Sequence, residues 1–117
     1  MANLPKLRPW LCLLAAMAAA SAPWPPADAL GMNWGTQATH PLPPKIVAQL
    51  LRDNGIKKVK LFDADQETLS ALAGTGIEVM VANPNVMLDT MTDYDTAKEW
   101  VRRNVSRYNF DGGVTIK

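Results

Sequence analysis

Three polar clusters stand where apolar runs end: Asn33-Trp34-Gly35, Phe62-Asp63-Ala64-Asp65 and Asn83-Pro84-Asn85. An Asp or Asn delivered at the carboxyl end of a strand, just ahead of a helix, is how parallel α/β folds place their chemistry. Asp63 and Asp65 would share a face on extended backbone and so tempt a reading as a carboxylate pair. Directly before a helix they read better as caps or as acceptors for a neighbouring loop. Asn83 precedes a proline, which biases it toward extended backbone; its amide can serve a ligand or a turn. Trp34 and Phe62 offer aromatic faces, either to a ligand or to a core. His40 stands alone among prolines, reads as exposed, and has no partner for catalysis or for a metal.

The elements that must position these residues repeat. GIKKVKLFDAD, from Gly55 to Asp65, and GIEVMVANPN, from Gly76 to Asn85, are two versions of one strand-to-loop unit. A first strand and turn run from Leu30 to Gly35. A helix starts at Pro43-Pro44, where proline is tolerated because first-turn amides lack intrahelical partners, and carries Ile46, Val47, Leu50 and Leu51 on one face. Gly55 ends it as a left-handed residue. The second strand, Lys57 to Phe62, turns Val59 and Leu61 one way and Lys58 and Lys60 the other. A helix to about Ala73 follows, with Leu69, Leu72 and Ala73 as its core stripe, and Gly74 closes it. The third strand spans Ile77 to Ala82. Thr92 or Asp93 caps a helix from Asp95 to Tyr108 whose buried side is Ala97, Trp100, Val101 and Val105, and Val114 to Lys117 begins a fourth strand.

The pattern predicts an α/β chain with three complete βα units and a stub, its strands parallel and its polar ends on one rim. Two architectures fit: part of a (β/α)₈ barrel, which takes on the order of 250 residues, or a small doubly wound sheet. GMNWGT lacks the strand and the spacing of a phosphate-binding loop, which argues against nucleotide binding.

Lys6 and Arg8 precede the apolar run WLCLLAAMAAA, and a Pro-rich stretch then leads to Ala27-Asp28-Ala29. This reads as a secretory signal peptide over residues 1–29, cleaved after Ala29, since a run of about 11 residues falls short of the roughly 20 that span a bilayer. Removing Lys6, Arg8 and Asp28 from 12 basic and 11 acidic side chains leaves ten of each in residues 30–117. No strong field would draw nucleic acid or anionic lipid. Cys12 is the only cysteine and lies in the leader, so no disulfide or thiolate metal site is expected in the mature segment. Asn104-Val105-Ser106 is an N-glycosylation sequon, consistent with secretion.

GMNWGTQATHPLPP, NGIKKVKLFDAD, ALAGTGIEVMVANPN and the WVRRNV helix with VTIK occur in an order and spacing that resemble the amino-terminal part of the plant endo-1,3-β-glucanases, the family 17 glycoside hydrolases. The resemblance covers residues 30–117. It implies the first three βα units and the start of the fourth strand of a (β/α)₈ TIM barrel, and retaining hydrolysis of internal 1,3-β-glucosidic bonds without metal or cofactor. In that family the general acid is a Glu in a Gly-Asn-Glu motif after the fourth strand, and the nucleophile is a Glu much later.

None of Glu67, Glu78 and Glu99 matches either position, so no catalytic residue is assigned and this segment alone is expected to be inactive. The resemblance implies a sugar-binding wall of Trp34, Phe62, Asp63 and Asn83. Trp34 and Phe62 stand where many relatives carry Tyr, so a stacking face is kept and a phenolic hydroxyl lost. The implied partner is 1,3-β-glucan, and the implied state is a secreted monomer in the cell wall, with room for a lipid anchor in a longer protein. Two alternatives are a non-catalytic β-glucan-binding protein and an unstable truncated product with open sheet edges.

Overall fold

The computed structural model describes residues 30–117. The signal-peptide reading, its cleavage point and Cys12 lie outside the described residues. Four strands form one sheet: β1 (Gly31–Trp34), β2 (Lys58–Leu61), β3 (Glu78–Met80) and β4 (Thr115–Ile116). Their spatial order is β1-β2-β3-β4 and every pairing is parallel. A doubly wound sheet reverses its strand order at a switch point. This sheet does not, and it advances one strand per unit as a barrel wall does.

Alternation on β2 decides which face is dry. Val59 and Leu61 are buried while Lys58 and Lys60 are exposed. Lys58 is in register with Gly31 and Glu78, and Lys60 with Asn33 and Met80. These residues therefore line the face away from the helices, where Lys58 Nζ lies 3.7 Å from Glu78 Oε2.

Helices α1 (Pro44–Asp53) and α2 (Gln66–Leu72) cover the other face. Ala48 and Leu51 of α1, Leu69 and Leu72 of α2, Val59, Leu61 and Val79 of the sheet, and Ile56, Ile77 and Val114 make one core. The buried stripe of α1 is displaced from the one expected: Ile46 and Leu50 are exposed, and Ala48 takes the inner position. On α2, Thr68 replaces Ala73 in the buried set. Gly55, at φ +69°, ends the α1 segment in the left-handed region, where a side chain would be strained.

After β3 the chain makes two 3₁₀ turns, Asn85–Met87 and Asp89–Thr92, before α3 (Tyr94–Val101) and a π-helical stretch, Arg102–Ser106. The expected buried side of this helix is only half-buried, at Ala97, Trp100 and Val105. No residue of α3 or the π stretch joins the core, and Val101 is exposed. Tyr108 and Val114, beyond it, are what pack inward. The π widening begins directly after Val101, so of the four expected positions it displaces Val105 alone from an ideal 3.6-residue period.

The turn into β4 is tight. Gly74 N–H donates to Gly113 O at 2.9 Å, and Val114 N–H to Tyr108 O at 2.8 Å. A Cβ on Gly113 would sit 2.4 Å from Tyr108 O and 2.9 Å from the Phe110 ring. Gly113→Ala should therefore force the backbone apart and lower stability by about 1–3 kcal/mol, read as a drop in the thermal midpoint. Gly112→Ala changes a neighbouring glycine with open space around it but a φ of +80°, so its loss would come from backbone strain alone.

At the end of α3, Glu99 accepts from Arg102 Nε at 2.7 Å and Nη2 at 2.6 Å, and from Arg103 Nε. These bonds, Arg102's first, hold its carboxyl at about 2 rather than the ordinary 4.5. A depressed acid stabilises the fold fully above its unfolded value and ceases to do so as pH falls through the folded one. Far-ultraviolet circular dichroism should thus show α3 helicity steady above pH 4.5 and falling toward pH 2. Glu99→Gln should flatten that part of the profile, and salt should weaken it, because the group is exposed.

Candidate functional site

The carboxyl ends of β1, β2 and β3 bring three loops to one rim. Gly35, Thr36 and Gln37 follow β1, Phe62 and Asp63 follow β2, and Pro84 comes from the loop after β3; together they line a shallow cleft of about 450 Å³. Phe62 is 51% exposed, and its ring receives Lys60 Nζ at 5.4 Å from the centroid. A Cβ at Gly35 would stand 3.9 Å from that ring, in ordinary van der Waals contact, so the first loop lies close beside it.

Both carboxylate oxygens of Asp63 accept from within the protein. Its Oδ2 accepts from Thr36 Oγ1 at 2.9 Å and its Oδ1 from Asp65 N–H at 3.3 Å. Asp65 in turn caps α2, accepting from Thr68 N–H at 2.9 Å and Thr68 Oγ1 at 2.8 Å. The two carboxylates therefore form no catalytic pair: one braces a loop and the other ends a helix. Asn83 is half-buried, and its Oδ1 is buried without a hydrogen-bond partner among the described residues. A buried acceptor left unpaired costs about 1–3 kcal/mol, so this oxygen is set to receive a donor.

Trp34 is placed apart from the others. It pairs in register with Leu61 and packs against the core, on the helix side of the sheet. There it lines a separate cleft of about 540 Å³ with His40, Pro43, Val47 and Thr68. It is not among the residues that line the cleft of Phe62 and Asp63. His40 is exposed in that outer cleft. Asn104 lies in the π stretch, half-buried, with Nδ2 donating to Trp100 O at 2.9 Å.

Thr36 and Thr68 were not singled out by sequence. Thr68 had a readable signal, since Asp65-x-x-Thr68 recurs as Asp93-x-x-Thr96, where Asp93 Oδ2 accepts from Thr96 N–H at 2.8 Å and Oγ1 at 2.7 Å. These bonds, Thr96's hydroxyl first, hold the Asp93 carboxyl below its usual value. Thr36 had none, because its partner lies 27 positions away. Among the described residues no group of three His, Cys, Asp or Glu could hold a metal, and no helix is long and apolar enough to cross a membrane.

The family model for glycosyl hydrolases family 17 matches residues 30–114. The chain belongs to that family. It is 68% identical over 89 residues to glucan endo-1,3-beta-glucosidase 8 of Arabidopsis thaliana, covering 76% of this chain and 18% of that protein. It is 52% identical over 91 residues to glucan endo-1,3-beta-glucosidase 5 of the same plant, covering 77% and 19%. This family 17 chain thus spans about a fifth of the length of these relatives.

Two solved structures share the fold. One comes from work on two plant beta-glucan endohydrolases with distinct substrate specificities, at TM-score 0.70 and 30% identity over 75% of this chain and 28% of that one. The other is CJP38, a beta-1,3-glucanase and allergen of Cryptomeria japonica pollen, at 0.69 and 29% over 75% and 27%. Both of the Arabidopsis relatives bear the name glucan endo-1,3-beta-glucosidase.

The Asp65 cap can be checked by itself. Asp65→Ala should cost about 1 kcal/mol by removing the acceptor of the Thr68 amide, measured by thermal or urea unfolding. Asp65→Asn should recover most of it.

Proposed function

We propose that residues 30–117 are the first strands of a (β/α)₈ barrel that hydrolyses internal 1,3-β-glucosidic bonds of cell-wall glucan, and that they supply a sugar-binding wall rather than the reacting carboxyls. One juxtaposition carries the reading: in a family 17 chain, strand ends gather an exposed Phe62 ring, Asp63 and Pro84, the residue after Asn83, in one cleft. A pyranose presents apolar C–H faces for a ring and hydroxyl donors for an orphaned acceptor. Phe62 and Asn83 are the contacts we assign to sugar. Asp63 supports them from below, and Trp34 holds the base of the rim to the core.

Retaining hydrolysis needs two carboxyls about 5–5.5 Å apart, one to protonate the leaving oxygen and one to attack the anomeric carbon. Glu78 opens β3 at the far end from the rim and pairs with Lys58. Glu67 is on α2, and Glu99 is held by Arg102 and Arg103. With Asp63 and Asp65 also engaged, no free pair is present among these residues, and the two carboxyls of the full enzyme would come from elsewhere in a longer protein. We place that enzyme outside the cell, consistent with the leader-like residues 1–29 and the sequon at Asn104, as a monomer needing no metal or cofactor.

Incubating the 117-residue chain with linear 1,3-β-glucan and counting new reducing ends should give no turnover above a no-protein control; measurable release would refute the assignment of the chemistry to other residues. A second reading, a glucan-binding protein without chemistry, shares the same rim. It predicts that a 1,3-β-linked glucose hexamer shifts the Phe62 ring resonances of this chain without being cleaved.

A further inference from the structure

The Thr36–Asp63 bond spans 27 positions, whereas every other side-chain hydrogen bond among the described residues spans seven or fewer. The loop it holds has little else. From Thr36 to Leu42 no backbone hydrogen bond of turn or loop type is made among the described residues, the next being Ile46 N–H to Pro43 O. At its other end the bond is firmly rooted. Asp63 is fixed by the Asp65 amide, and Asp65 by both donors of Thr68, a residue 1% exposed on the buried side of α2.

We propose that Thr36 and Asp63 form a latch that seats the first rim loop beside Phe62, and that both act as positioning residues of the sugar cleft. One acceptor direction on each Asp63 oxygen is committed to the protein, which fixes the plane of the carboxylate. The latch sets a separation. With the latch closed, Gly35 lies against the Phe62 ring, and Thr36 and Gln37 form the wall facing Pro84. With it open, Asp63 Oδ2 loses its donor and the loop loses its one tether, so the cleft loses that wall while the sheet below is untouched.

The latch does not depend on what the cleft holds, but its role in sugar binding rests on the 1,3-β-glucan reading above. The two can be tested together and fail separately. In the isotopically labelled 117-residue chain, nuclear Overhauser contacts between Gly35 and the Phe62 ring are expected. They should persist in Thr36→Ser, which keeps the hydroxyl, and vanish in Thr36→Val, which keeps the shape and removes the donor, while amides of β2 and β3 stay in place.

Titration with a 1,3-β-linked glucose hexamer should shift the Phe62 ring in the parent chain and in the serine variant, and bind at least about fivefold more weakly in the valine variant, a difference of roughly 1 kcal/mol. Persistence of the Gly35–Phe62 contact in Thr36→Val overturns the latch. Its loss in Thr36→Ser, with the rest of the spectrum intact, overturns it too. A parent chain that shows the contact and ignores the hexamer keeps the latch and removes the sugar. Thr36→Ala takes the place of the valine variant if that one does not fold, under the same criteria.

Discussion

The alternation of Lys58-Val59-Lys60-Leu61 is the constraint on which the molecule depends. One face of a parallel strand must be sealed by helices, because its connections cross over on that side. Val59 and Leu61 commit β2 to that face, and register carries the commitment to Val79 on one neighbour and Trp34 on the other. Everything at the rim inherits its direction from this choice. Phe62 emerges beside Lys60 on the open side, whereas Trp34 beside Leu61 turns to the helices.

Much of this was legible in the residues. The strands, their parallel order, the helix-ending Gly55 and the caps at Asp65 and Asp93 all follow from local rules, since each is set by a few adjacent positions. What escaped was non-local or aperiodic. The apolar spacing of Ala97, Trp100, Val101 and Val105 predicts a buried stripe, but a stripe needs something to lie on. Among the described residues β4 has two residues, and no core side chain reaches α3. The π stretch then takes Val105 off the 3.6-residue period of the other three.

The rim divides along the same line. Trp34 and Phe62 look equivalent in sequence, each an aromatic at a strand end, yet they leave their strands on opposite sides of the sheet. A period of two separates such residues only when the register between strands is known. Asp63 and Asp65 likewise look like a pair. Their bonds show two supports acting in series, from loop to strand end to helix. Asn83 is the reverse case: sequence offered a turn residue, and the fold presents an acceptor with nothing to accept.

The π-helical stretch has a consequence for glycan geometry in any secreted form of the chain. Asn104 carries the nitrogen to which an oligosaccharide would be joined, and in the closed helix that nitrogen already donates to the Trp100 carbonyl. That nitrogen carries two hydrogens, so a glycan would replace one while the other keeps the bond to Trp100. The same bond would then fix the direction in which the first sugar leaves the helix.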